Sequence, residues 1–451
     1  MKTICLLFEI HQPLRLKKYR FYDIGADHYY YDSYQNEEII RRNTECSYMP
    51  GIKMLREMVL ASKGAFKVAL SISGVAIEQF QNTCPELLDA ISELVATGCC
   101  ELTCEPFAHS LSSLVDPEEF RVESLRQKAF IEETFKYTPT VFTNTALIYN
   151  DEIGAEIAAM GFKGIVTEGT KHVLGWKSAN YVYNATASHE VGLLFRNQKL
   201  SEDIALNFQG GLDADTYIRW IKESPENEQV YVISMNFDVI GGIHPASTGI
   251  FEFFRALPQF AAAAGISFST PSEVFANTPS VDTASVGHAI SWDGYDKDVS
   301  TWNGNDLQRE ALRSIYSISE RLRLSHNLVL EEDYYNLICA DHFKFMSTKN
   351  GTYNPFSPYE SSYDAFINYM NVVSDLQIRL DQQFPKEIET EELNPLLTQI
   401  NNQGKEIERL TEKLEKAEAA LAKAKGEKKS TKASAKSAKA SSAKSAKAAK
   451  K

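Results

Sequence analysis

The chain has 451 residues, room for two domains and a large core, and its formal net charge is −13. Residues 428–451 contribute nine lysines and no acid, so the rest stands at −22; an acidic body argues against nucleic acid as the main ligand and fits a cytoplasmic protein. Seven cysteines, with no CxxC pair and no His/Cys cluster at zinc spacing, read as reduced thiols, and neither a metal nor a cofactor is expected.

Residues 2–10 form an apolar strand ending at His11-Gln12-Pro13; the run is too short for a signal peptide and Glu9 interrupts it. Residues 14–50, rich in tyrosine and charge, read as a long loop with some helix. A second buried strand covers 66–73. A helix over 85–97 follows, with Leu87, Leu88, Ile91 and Leu94 at helical spacing and Gly98 as its stop. A third strand, 101–104, leads to Glu105 and His109. Asp116-Pro117-Glu118-Glu119 caps a long helix reaching Phe135. Residues 141–149 then read as a short strand entering a polar turn, and a helix over 151–160 ends at Gly161.

Further strands are expected at 164–167, 193–196, 230–236 and 266–269, with helices at 214–223 and 249–264. Alternating strands and helices imply a parallel sheet, and seven or eight strands over about 275 residues favour a closed barrel. The expected organisation is a barrel over 1–285 and an α-helical domain over 286–386, with helices at 306–324, 333–346 and 361–384. A coiled-coil helix at 390–425 and a disordered Lys/Ala/Ser tail at 426–451 complete it. Ile400, Ile407, Leu414 and Leu421 recur every seven residues, with Leu410 and Ala417 between them. This seam, within 397–424, is compatible with a homo-oligomer, a lone solvated helix or packing on the body. No run approaches the roughly 18 apolar residues of a membrane span.

Four positions fall at the carboxyl ends of strands, where a barrel collects its chemistry: His11, Glu105, Ala146 and Asn236. His11 with Gln12 could fix a substrate hydroxyl, or simply cap a strand. Glu105, four residues before His109, is an acid/base candidate tuned by burial, or a strand-end glutamate paired to a cation. Asp238 is a candidate carboxylate or a turn residue, and His244 a site residue or a solvated loop side chain. Asp341 and His342 could reach over the barrel mouth, or form a helix surface pair. Trp176, Trp220, Trp292 and Trp302 could stack on sugar rings or belong to the core; Asn305 and Gln308 are further polar candidates. No GxGxxG, P-loop, HExxH or GxSxG is present.

His11-Gln12-Pro13, the run ELTCEPFAHSL at 101–111, VFTNTALIY at 141–149, and 235–244 continuing into Gly249-Ile250-Phe251-Glu252-Phe253 resemble the ordered motifs of glycoside hydrolase family 57, in its bacterial α-amylase-type branch. The resemblance spans about residues 1–385. It implies a (β/α)7 barrel with an appended α-helical domain, acting on α-1,4-glucans with retention of configuration. Retention requires two carboxyl groups about 5–5.5 Å apart. The family's nucleophile is a glutamate in a motif like N-T-E-L-I-Y; here the sequence reads Asn144-Thr145-Ala146-Leu147-Ile148-Tyr149. Its acid/base is an aspartate in a motif like F-M-D-Y-E-T-F-G-E-H; here the aligned residues run from Ser234 through Asn236 and Asp238 to Ile243, anchored by Gly241. Both catalytic positions are therefore substituted, by Ala146 and Asn236.

A methyl group cannot attack an anomeric carbon, and an amide cannot deliver a proton to a leaving oxygen. The resemblance thus implies an inactive α-glucan-binding or regulatory homologue. Maltodextrin would be held by His11, Gln12, Glu105, His109, Asp238, Trp176, Trp302, Asp341 and His342. A residual hydrolase or 4-α-glucanotransferase would need displaced carboxylates such as Glu105 and Asp238, or Glu152 and Glu168. A third class is a structural protein acting through the heptads and a tail that binds polyanions.

Overall fold

Strand β1 (Thr3–Ile10) divides its side chains between two cores. Cys5 and Leu7 pack with Ala69, Val141, Val166, Leu194, Val230 and Val232, whereas Ile4, Leu6, Phe8 and Ile10 belong to a second cluster built with helices. Successive strand residues face opposite ways, so the first set lines the interior of a closed sheet and the second lies beneath the helices. The same alternation carries Glu9 onto the interior face, above Leu7 and Cys5.

The computed structural model describes residues 2–384, apart from 187, 209–210 and 350–356, together with 409 and 413. Met1–Phe384 is one compact unit. The heptad positions 400, 407, 410, 414, 417 and 421 and the lysine-rich tail lie outside the described residues.

The fold is mixed α/β around a central sheet. Its strands are β1, β2 (Val68–Ile72), β3 (Cys100–Thr103), β4 (Val141–Thr143), β5 (Gly164–Glu168), β6 (Val182–Ala185), β7 (Ser188–Arg196), β8 (Val230–Asn236), β9 (Ser267–Phe268) and β10 (Asp282–Ala284). Parallel pairings run β8–β1–β2–β3 and β4–β5–β7. The Cys104–Phe142 bridge joins β3 to β4, and Arg196 opposite Val232 joins β7 to β8, which closes a ring of seven strands. β6 runs antiparallel to the lower part of β7 and so restricts the β7–β8 seam to its top. β6 and β10 are the two strands the sequence pattern did not anticipate.

Close packing requires glycine where β5 meets β7. Gly164 and Gly192 are partners in register, and a Cβ on either would come within 2.2 Å of the Phe275 ring.

Expected helices appear with small shifts, such as Pro85–Val95 and Ile250–Ala264; Pro117–Phe135 is capped by Asp116, whose side chain accepts from Glu119 N at 3.1 Å. Beyond residue 300 the helices are shorter than expected. The helix read over 306–324 breaks at Ser317 into Asp306–Tyr316 and Ser319–Ser325. The one read over 333–346 breaks where Cys339 leaves the helical region, at φ −53° and ψ 132°, between Leu328–Leu337 and Ala340–Phe345. The break has a tertiary cause: Cys339 bridges Ser110, and Ala340 N donates to His109 O at 3.0 Å. Residues 14–50, expected as a long loop with some helix, hold helix Ser33–Asn43 and the start of Met49–Ala61.

Candidate functional site

The interior of the ring changes character along its axis. Above the apolar layer, Ser71, Thr103 and Thr143 hydrogen-bond to one another at 2.8–2.9 Å. Above these, at the carboxyl ends, lie the chemically competent groups.

A cavity of about 160 Å³ opens here, lined by Glu9, His11, Gln12, Pro13, Arg15, His109, Ala146, Asn236, Asp238, Ile243, Trp292, Trp302, Ala340, Asp341 and Lys344. It shares Asn236, Ile243 and Trp292 with a broader cleft of about 840 Å³, which reaches Lys171, Glu202 and Tyr295.

β1 delivers Glu9 and, just past its end, His11. His11 stacks on His109 with ring centroids 4.1 Å apart and planes 17° apart. Its Nδ1 lies 2.7 Å from Ser73 Oγ, and its Nε2 3.2 Å from Asp341 Oδ2. Burial, then the charge of His109, lowers the His11 pKa. The Asp341 carboxyl is held well below the usual range: burial opposes ionisation, but the His11 hydrogen bond and charge outweigh it. Burial would lower the His109 pKa, yet Glu9 and Glu105 lift it to about 9; Glu105 Oε2 is 2.6 Å from its Nδ1. Burial raises Glu9 to about 8. His109 therefore sits between two carboxyl groups that favour its protonated form, 3.7 Å from Glu9 and 2.6 Å from Glu105.

β8 ends at Asn236. Asp238, two residues on, accepts from Gln12 Nε2 at 3.1 Å through Oδ2, while its buried Oδ1 has no hydrogen-bond partner among the described residues. Burial raises the Asp238 carboxyl to about 6, against the pull of the Tyr48 hydroxyl and Arg15. The loop turns back at Gly241, whose φ is +88° and whose added Cβ would sit 2.1 Å from Cys46 O. Only glycine fits that approach, which explains why this position anchors the motif.

The turn after β4 places Ala146 on the cavity wall in the left-handed region, at φ 48° and ψ 31°. Leu147 follows at φ 55°. Each such residue costs roughly 1–2 kcal/mol of backbone strain without glycine. Neighbouring hydrogen bonds over-determine the turn: Trp292 N donates to Ala146 O at 3.0 Å, Thr167 Oγ1 to Leu147 O at 2.9 Å, and Asn144 Nδ2 to Ile148 O at 2.9 Å.

The remaining candidates divide. Gln12, Trp302 and Asp341 join the cavity wall. Glu105 lies one layer below it, 1% exposed, tied to His109 and to Ser71 Oγ at 2.8 Å. His342 is buried outside the wall; its ring N–H donates to Asn336 O at 3.0 Å, and burial lowers it to about 4. Trp176 is 91% exposed and lines neither the cavity nor the cleft. His244 ring N–H donates to Ala205 O at 3.1 Å, and Glu168 is buried against Arg196 at 2.7 Å. Asn305 and Gln308 form a capping box that starts their helix.

Glu9, Arg15 and Lys344 are wall residues that the motif reading passed over. Glu9 was detectable as the one acid in an apolar strand, on the inward period-two face. Arg15 and Lys344 left no comparable signal.

The model of glycosyl hydrolase family 57 matches residues 5–287. A curated protein of Methanocaldococcus jannaschii named "Putative alpha-amylase" is 31% identical over 406 residues, covering 84% of this chain and 85% of its own length. The 4-α-glucanotransferase of Thermococcus litoralis shares the fold at TM-score 0.62 and 14% identity; 84% of this chain is covered, which spans only 60% of that enzyme. A family 57 branching enzyme of Thermococcus kodakaraensis aligns at TM-score 0.64 and 12% identity, over 88% of this chain and 94% of its own.

Proposed function

The chain belongs to glycosyl hydrolase family 57, and we propose that it is an α-glucan-binding or regulatory member without glycosidase chemistry. The observation that carries this reading is the pairing of Ala146 and Asn236 on one cavity wall. Under the motif alignment these are the nucleophile and acid/base positions of a (β/α)7 barrel, and neither side chain can ionise. Removing general acid–base help alone costs about 10²–10⁴ in rate, and without a nucleophile the covalent route is closed. The pocket keeps groups suited to recognition: Trp292 and Trp302 line it, with the polar side chains of Gln12, Arg15, Asp341 and Lys344. The adjoining cleft gives a chain of sugars room to continue.

The test uses maltoheptaose. Calorimetry is expected to record binding by the natural protein with no product formed, and Ala146→Glu/Asn236→Asp is expected to release product. Absence of binding would sink the glucan reading, and turnover by the natural protein would sink the inactive one.

One observation favours a residual activity instead: Glu9 and Asp238 are carboxyl groups on the same wall, with raised proton affinities. Turnover that disappears in Asp238→Asn and in Glu9→Gln would select it. Glu105, bonded to His109 and Ser71 below the wall, is placed less well for that role.

Residues 397–424 are proposed as a self-association helix, and the nine lysines of residues 428–451 as a polyanion-binding tail. Removing residues 386–451 should lower the number of chains per particle, taken as the light-scattering mass divided by the mass of one chain. An unchanged number of chains would dismiss the helix as the oligomerising element.

A further inference from the structure

Three donor atoms from two distant parts of the chain converge beside the cavity: His11 Nε2 after β1, and Cys339 Sγ and Asp341 Oδ2 from one turn. The separations are 3.2 Å between His11 and Asp341, 3.3 Å between His11 and Cys339, and 3.6 Å between Cys339 and Asp341. Zinc bonds to imidazole, thiolate and carboxylate measure about 2.0–2.3 Å, which at tetrahedral angles puts the donors about 3.3–3.6 Å apart. We propose that these three side chains form one face of a tetrahedral site for a zinc-class divalent ion, whose fourth position faces the cavity and takes a water or hydroxyl ligand.

Other features of the structure fit that role. Thiolate and carboxylate supply two negative charges against the ion's two positive ones, and the imidazole binds neutral. For Nε2 to coordinate, the ring proton must reside on Nδ1, where Ser73 Oγ stands 2.7 Å away to accept it. The His109 ring, stacked at 4.1 Å, fixes the plane of His11. The Ser110–Cys339 bridge and the Ala340 N to His109 O bond hold the Cys339 backbone. Arg15 and Lys344 also face Asp341, but their nearest partners lie elsewhere: Gln12 Oε1 at 3.1 Å for Arg15 and Asp293 at 2.9 Å for Lys344. His11 and Asp341 line the cavity and Cys339 lies behind them, so the ion's open side faces the void. Motif spacing could not reveal this set, since His11 and Cys339 are 328 residues apart. The inference stands whether or not the cavity binds glucan.

The experiment titrates the full-length, chelator-treated protein with Co²⁺ as a visible probe. The expected result is one equivalent bound, with a thiolate-to-cobalt charge-transfer band in the near ultraviolet and tetrahedral d–d absorption, both removed by stoichiometric Zn²⁺. Cys339→Ser should abolish the charge-transfer band, and Asp341→Asn should weaken binding at least about tenfold, as losing even an outer-sphere partner does. Cys46→Ser, at an exposed cysteine, should leave the spectrum unchanged. A natural protein without the band overturns the site and leaves the three contacts as hydrogen bonds, and so does a band that survives Cys339→Ser. If Cys339→Ser fails to fold, X-ray absorption on the zinc-loaded natural protein decides: one sulfur in the coordination sphere supports the site, and none or several overturns it.

Discussion

Asn236 lies directly opposite Glu9 across the β1–β8 pairing. An amide and a carboxyl group therefore share the cavity rim, where two acids would repel one another and hold on to a proton.

That juxtaposition shapes the reversion experiment. Asn236→Asp alone should stay inactive on maltoheptaose, because no nucleophile is present. Ala146→Glu alone should fall below the double reversion by about 10²–10⁴, the usual worth of general acid catalysis. Initial rates of reducing-sugar release measure all three. Equal rates in the single Ala146→Glu and the double variant would mean that another group, with Glu9 foremost, donates the proton.

The left-handed alanine predicts a stability effect in the opposite direction to most cavity-wall changes. Ala146→Gly relieves roughly 1–2 kcal/mol of αL strain and incurs about 0.5–1 kcal/mol of glycine entropy. A net gain near 1 kcal/mol should raise the melting temperature by about 1 °C for a unit of this size. Differential scanning calorimetry would register a fall if the Cβ were packed to advantage.

Gly241→Ala should act strongly the other way. It introduces a Cβ at φ +88° and 2.1 Å from Cys46 O, for a combined cost of roughly 2–5 kcal/mol. Denaturant titration should show a lower midpoint, and because Asp238 and Ile243 belong to the same loop, maltodextrin affinity should fall with it. A midpoint within error of the natural protein would contradict the close approach.

Asp238 gives a pH signature. Its carboxyl is raised from 3.8 to about 6, chiefly by burial, so the folded protein takes up a proton before the unfolded chain does. Its ionisation therefore costs stability, a cost absent below about pH 4 and complete above about pH 6. Asp238→Asn should gain on the natural protein as pH rises through that window and hold a constant advantage above it. Paired unfolding curves between pH 4 and pH 8 test this; a difference independent of pH would mean that the carboxyl titrates normally in the fold.

Much of the ring could be read from residue pattern. The strand expected at 230–236 is β8 itself, and β1 and β5 lie within one or two residues of their predicted spans. Buried parallel strands are short apolar runs bounded by glycine and polar turns, a local signal. β6 and β10 carried none, since Val182–Ala185 and Asp282–Ala284 become strands only by pairing with β7 and with each other. The break at Cys339 was hidden for the same reason: helical periodicity runs through it, and the bond from Ala340 N to His109 O overrides it. At the site, strand-end logic pointed to His11, Ala146 and Asn236, which line the cavity, and to Glu105, which does not, being tied to His109 and Ser71.

Arg196 fastens the narrow β7–β8 seam. Its Nε donates to Ser234 O at 2.7 Å, its Nη1 meets Glu168 Oε2 at 2.7 Å, and its guanidinium lies 5.7 Å from the Trp292 ring centroid. In mechanical terms the barrel is a hoop with a clasp, and the clasp lies between the two wall positions that lack acids. When such a hoop breathes, it gapes first where the lacing is thinnest. Amide hydrogens flanking Val232 and Arg196 should therefore exchange ahead of those along β1 and β2, and an oligomer wider than the resting cavity would find its entrance on that side.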